Sequence, residues 1–179
     1  MSETAIYCVG KAHCELLGKI DNSWLSAMYI WNDFSKRYMG LPKFPSFNEK
    51  KMKRLWNINK EYDLPEHEHI TFLTTMDKVL VPVDKAQLLI DALEKYGDEH
   101  PDSTFKEQSE IIQDNLNNLP KDTYIGFEQY DCNDFYFDVI YDDNDVPIYH
   151  NLESGWNLFS QLESVKRYRT EIKKNSVDE

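Results

Sequence analysis

The chain has 179 residues, 41% hydrophobic and 13% aromatic, and its 32 acidic and 20 basic side chains give a formal net charge of −12. That length and apolar content support one folded core and argue against intrinsic disorder, while no apolar run reaches the roughly eighteen residues of a membrane span. From Glu61 to Glu163 there are 24 acidic and five basic side chains, against ten basic and five acidic in the first sixty residues, a field that attracts cationic partners and repels nucleic acid and anionic lipid.

In chain order, residues 5–10 (AIYCVG) read as a short buried strand. Trp24, Met28, Trp31 and Tyr38 recur at helical spacing, so residues 23–39 are expected to form a helix. Asn22 or Ser23 would cap it, and Gly40 and Pro42 would stop it. The spacing of Trp24, Trp31 and Tyr38 places all three in the core rather than on a stacking platform. Residues 42–47 form a loop with two prolines, and a basic helix follows over 48–59 with Met52, Leu55 and Trp56 as its apolar stripe.

Residues 70–74 and 78–81 read as two strands of a hairpin around Thr75, Met76 and Asp77. Asp84 and Gln87 have the spacing of a capping box at the start of a helix that ends at Gly97, with Leu89, Leu93 and Tyr96 inward. Thr104 and Glu107 repeat that pattern before a helix ending ahead of Pro120. Residues 123–150 form a β region and 157–173 a C-terminal helix, leaving 174–179 as a flexible tail. Strands in adjacent pairs predict an α+β fold, a mainly antiparallel sheet covered by helices, in a single domain over 1–173.

The β region carries the candidate site. Residues 123–130 (TYIGFEQY) and 135–141 (FYFDVIY) are expected to pair as a hairpin, with Gln129 opposite Phe135. Ile125 and Phe127 then share an apolar face with Phe135, Phe137 and Val139. Tyr124, Glu128, Tyr136 and Asp138 lie on the other face, with Asp134 and Asp142 at its ends and Asp143 and Asp145 in the next turn. Pro147 cannot donate a ladder hydrogen bond, which puts the strand over 146–150 at an edge. Tyrosine supplies rigid contact area and carboxylates steer a cationic partner, so these eight residues are the candidate partner-binding set. A solvated sheet face would have a similar composition.

Catalytic and metal chemistry finds little support. Asp134, Asp138 and Asp142 are four apart, which on one strand separates neighbours by about 13 Å, beyond the roughly 5–9.5 Å of glycosidase pairs. The 142–145 run with Glu153 would not close as a calcium loop, because Pro147 stands where the sharp turn wants glycine. His67 and His69 could place two imidazoles on one side of an extended segment, with no third metal ligand indicated. His13, Cys14 and Glu15 lack the partner P-C-x-x-C segment of zinc deaminases. Cys8 lies in an apolar strand that disfavours a thiolate. No Walker A, Rossmann, GxSxG or HExxH pattern occurs. No cofactor, metal or enzymatic activity is expected. The basic runs Lys50, Lys51, Lys53 and Arg54, then Lys166, Arg167 and Arg169, read as solvated helix faces neutralising acidic segments in the chain or in a dimer.

In size, charge and the aromatic-acidic 124–145 region, the chain resembles bacterial toxin-immunity proteins of the contact-dependent inhibition type. The resemblance implies tight one-to-one binding that covers or distorts the active site of a basic toxin such as a nuclease. Three cysteines without a CxxC pair, and no secretory signal, imply a cytoplasmic setting. A DNA-mimic inhibitor of a defence enzyme, a hydrolase with an unrecognised site, and a homo-oligomer pairing basic and acidic ends are the competing expectations.

Overall fold

The strand at the centre of the sheet is one that the sequence pairs with the segment following it. In the computed structural model, which describes residues 2–11, 13–130, 132, 139–141, 143–144, 147–150 and 152–175, β1 (Glu3–Gly10) and β4 (Tyr124–Gln129) run antiparallel side by side. β2 (His13–Asp21) flanks β1, and β3 (Val79–Pro82) flanks β4. The two-residue β7 (Trp156–Asn157) adds a parallel edge, giving the order β2-β1-β4-β3-β7. β4 is therefore paired along one edge and, over Tyr124–Gly126, along the other. The expected pairing of Ile125 with Val139 does not form, while Phe135 to Asp138 lie outside the described residues. Instead β5 (Val139–Tyr141) pairs with β6 (Pro147–His150) in a separate two-stranded sheet. The alternation within β4 holds: Ile125 and Phe127 lie on one face, Tyr124 and Glu128 on the other. A strand with both faces largely covered belongs inside a sheet, and adjacency in sequence misleads about its neighbours.

One face of the sheet receives the helices. Ile6, Val79, Val81, Ile125 and Phe127 project into a core shared with Ile30, Phe34, Phe72, Leu89 and Leu93. Burial of each such side chain is worth about 1.5–3 kcal/mol. On the other face, Val9 and Leu80 pack with Tyr7, Tyr124 and Leu152. The helices are α1 (Ala27–Met39), α2 (Glu49–Trp56), α3 (Ile58–Glu61), α4 (Glu66–Leu73), α5 (Ala86–Glu99), α6 (Phe105–Asn115) and α7 (Leu158–Asn175). This is the expected α+β arrangement. Among the described residues no helix is long and apolar enough to cross a membrane.

Several local expectations need correction. Residues 70–73 belong to helix α4, with Thr74 as its C-cap, not to a strand; Pro65 takes the N-cap position and Glu66 and Glu68 the first turn. Residues 68 to 75 are all buried, so the helix carries no polar stripe, and its β-branched and aromatic residues imitate a strand. β2 goes unread because a bulge between Leu16 and Gly18 breaks its alternation. Asn48 does cap α2, accepting from Lys51 N at 3.1 Å.

The start of α1 is capped from across the molecule. Its N-cap is Ser26 rather than Asn22 or Ser23, because a 3-10 turn over Ser23–Leu25 precedes it. Gln129 Oε1 accepts from Ala27 N at 3.1 Å and from the Ser26 hydroxyl at 3.0 Å. A side chain from β4 thus satisfies a donor that the helix leaves open. Trp31 is buried and Tyr38 partly so, but Trp24 is 61% exposed on that preceding turn, outside the core.

Neither capping box forms: Gln87 donates to Asp91 at 2.8 Å, and Thr104 Oγ1 to the Leu25 carbonyl at 3.1 Å. Gly97 does not stop α5; it allows α5 and α6 to touch. A Cβ there would lie 2.7 Å from the backbone nitrogen of Lys106 and 3.0 Å from its Cα. Alanine is the better helix former by up to about 1 kcal/mol, yet backbone cannot rotate away as a side chain can. Gly97→Ala is expected to lower stability by about 1–3 kcal/mol, read from urea unfolding. A stabilised variant would mean that the helices separate at little cost.

Candidate functional site

The expected partner-binding face is only partly within the described residues. Asp134, Tyr136, Asp138, Asp142 and Asp145 lie outside them, and Asp143 is exposed. Tyr124 and Glu128 share a face, as expected, but both are half-buried rather than open. Tyr7 donates its hydroxyl to Glu128 at 3.2 Å. Burial, then the Glu128 charge, pushes the Tyr7 phenol up to about 12. This carboxylate is committed to a neighbour within the sheet.

The open carboxylates are elsewhere, on the pair α5 and α6. Residues 84 to 122 carry ten acidic side chains against four lysines, and all ten are exposed. Asp91, Glu94 and Asp98 follow i, i+3, i+7 spacing along α5; Glu107, Glu110 and Asp114 repeat it along α6, so each helix presents one acidic stripe. Lys106 joins them: its ammonium meets Asp98 at 2.6 Å and feels Glu94 and Glu110, and it is held above its ordinary pKa by Asp98. The charge imbalance is plain in the sequence; its display on a helical hairpin follows from packing.

The basic runs make contacts within the chain. Lys166 pairs with Glu66, Arg169 with Asp63 at 2.5 Å, and Arg54 with Glu61 at 3.2 Å. The first two fasten α7 over the region where α3 gives way to α4.

The two histidines do not converge. On a helix, residues two apart point to nearly opposite sides, and His67 meets Glu99 at 2.7 Å while His69 turns inward to Asn59. His67, Glu68 and Glu99 do bring possible ligand atoms within 4.8 Å of one another. Both Glu68 oxygens, however, accept from Arg37 at 3.0 Å, so a metal would have to displace a fixed guanidinium. Cys8 and Cys14 are poor nucleophiles: burial pushes Cys14 up to about 11 and also raises Cys8, whose thiol lies 3.2 Å from Thr123 Oγ1.

A concave site lies apart from the acidic helices. Trp31 from α1, Trp56 from α2, Asn59 from α3 and Trp156 from β7 line a cleft of about 640 Å³, with Asp77 and Lys60 at its margin. Three of the four tryptophans meet there although 125 residues separate the first from the last. Only the helical phase of Trp31 and of Trp56 is readable beforehand; their convergence is tertiary. No protein-family model matches the chain, and no curated protein or solved structure is significantly similar to it.

Proposed function

We propose that the protein is an acidic inhibitor that binds a basic protein one-to-one, in the manner of an immunity protein neutralising a toxin such as a nuclease. The observation that carries this reading is the row of exposed carboxylates on α5 and α6. A nuclease must be cationic where it holds phosphates, and a surface that repeats their negative charge competes for the same ground. Through water, one charge acting on another at about 10 Å contributes only about 0.4 kcal/mol. Many carboxylates are therefore needed, and many are present.

The test is capture of the partner from the native host by the tagged full chain, at low and at high salt, followed by charge reversal. One basic protein retained near one-to-one and released by salt is expected. Changing Asp91, Glu94, Glu107 and Glu110 together to Lys should weaken that complex by about tenfold or more at low salt, with the unfolding temperature little changed. Loss on reversing Asp138 and Asp142 instead would move the contact to the 134–145 segment. A complex indifferent to both sets and to salt would overturn the reading.

A further inference from the structure

The tryptophan cleft shares no lining residue with the acidic helix pair, and its chemistry is of another kind. Its indoles have their polar edges engaged: Trp31 Nε1 donates to Thr75 Oγ1 at 2.8 Å, and Trp156 Nε1 to the Asp77 carbonyl at 2.7 Å. These two rings offer a visitor only aromatic surface. Met52 and Met76 add deformable apolar walls. The volume of about 640 Å³ lies within the roughly 300–1,000 Å³ of small-molecule sites.

Asn59 supplies the polar point. It is 3% exposed and lines the cleft, yet its Oδ1 has no hydrogen-bond partner. Its Nδ2 lies 2.9 Å from His69 Nε2. Burial, with Arg169 and Lys166 nearby, lowers the His69 pKa to about 4 and keeps the ring neutral. With the amide nitrogen toward the ring, Nε2 accepts and the amide oxygen is left over. A buried carbonyl without a donor is uncommon, because nothing offsets its desolvation. Asn59 is part of the cleft wall, and a ligand's N–H that reached this oxygen would supply the missing donor.

We infer that this cleft binds a planar heteroaromatic molecule bearing an N–H donor, with its ring packed among Trp31, Trp56 and Trp156 and its donor on Asn59 Oδ1. The surrounding indoles favour a flat body over an aliphatic one. At Asn59 Oδ1 a ligand of the same shape without the donor is disfavoured, since the carbonyl would then stay buried and unpaired.

Benzimidazole and 1-methylbenzimidazole make a suitable pair of probes, alike in shape but differing in the N–H. Titrated into the full chain above neutral pH, they are followed by the indole N–H signals in two-dimensional NMR. The Trp31, Trp56 and Trp156 signals should shift saturably with benzimidazole, while Trp24, exposed and outside the cleft, stays in place. The methylated probe should bind about tenfold more weakly, and Asn59→Leu should abolish the difference. If that variant does not fold, the two-probe comparison on the unaltered chain decides. Equal affinities, shifts without saturation, or movement of Trp24 with the others would overturn the assignment.

Discussion

Replacing Arg37 by alanine should destabilise the fold by about 2–3 kcal/mol, which in a domain of this size is about 5–10 °C in unfolding temperature. Its partner Glu68 is buried, while Arg37 itself is partly screened by water. Arg37 lies between Asp33, at 2.6 Å, and Glu68, whose two oxygens it holds at 3.0 Å each. Its guanidinium also stands over the rings of Phe34 and Tyr38 at 5.2 and 5.0 Å. Burial works against its charge, but Glu68 and Asp33 outweigh this and hold its pKa above the ordinary value. Around it, Tyr38 donates to Glu68 at 3.2 Å and Tyr96 to Asp33 at 3.3 Å. The cost of Arg37→Ala comes less from the bond lost than from what remains. Glu68, 6% exposed, would be left without the cation that offsets its burial. The double variant Arg37→Ala, Glu68→Gln should therefore be more stable than Arg37→Ala alone. Lysine at 37 should recover only part, because an ammonium cannot make both fork-like contacts. Denaturant titration of the four proteins reads these differences; a loss under about 1 kcal/mol in Arg37→Ala would mean that water already screens the network.

The second large effect is a dependence on pH. His69 is buried against Asn59, and burial first, then Arg169 and Lys166, lowers its pKa from 6.5 to about 4. The unfolded chain takes up a proton near 6.5 that the folded chain refuses until about 4. Between those values the unfolded state binds more protons, so stability falls as the pH falls through the window. The full difference is about 3 kcal/mol, of which about 2 kcal/mol should be lost between pH 7 and 5. Carboxylates add slopes of their own, so the informative quantity is the difference between the native chain and His69→Gln. The variant should be less sensitive to pH over this interval; parallel curves would show that His69 takes up its proton in the folded state as easily as in water.

The elements legible in the sequence are those whose local pattern agrees with their final surroundings. Leu89, Leu93 and Tyr96 make one apolar stripe because α5 has one buried side and one wet side, and the C-terminal helix is readable for the same reason. α4 is not, since neighbours enclose residues 68 to 75 and erase the contrast that periodicity needs. The alternation of Tyr124, Ile125, Phe127 and Glu128 gives the faces of β4 but cannot name its partners, which begin at Glu3 and Val79. The same division holds for the sites. The abundance of carboxylates is visible in composition, whereas their display on α5 and α6 depends on how those helices dock. Asn59 looks like a helix-end asparagine until His69 takes its nitrogen and leaves its oxygen without a donor.

The position of β4 between β1 and β3 also orders events during synthesis. Thr4 lies opposite Gln129, so β1 must wait for about 125 more residues before its inner edge is covered. β2 can close on β1 early, since Gly10 and His13 are already paired neighbours, but that hairpin still has one open side. The Gln129 amide that completes the start of α1 arrives equally late. Closing loops of this length is entropically demanding and slows folding. The nascent chain therefore carries an apolar strand with one open edge until β4 is made, and the interval in which that edge is most open to mispairing or to a chaperone ends only then.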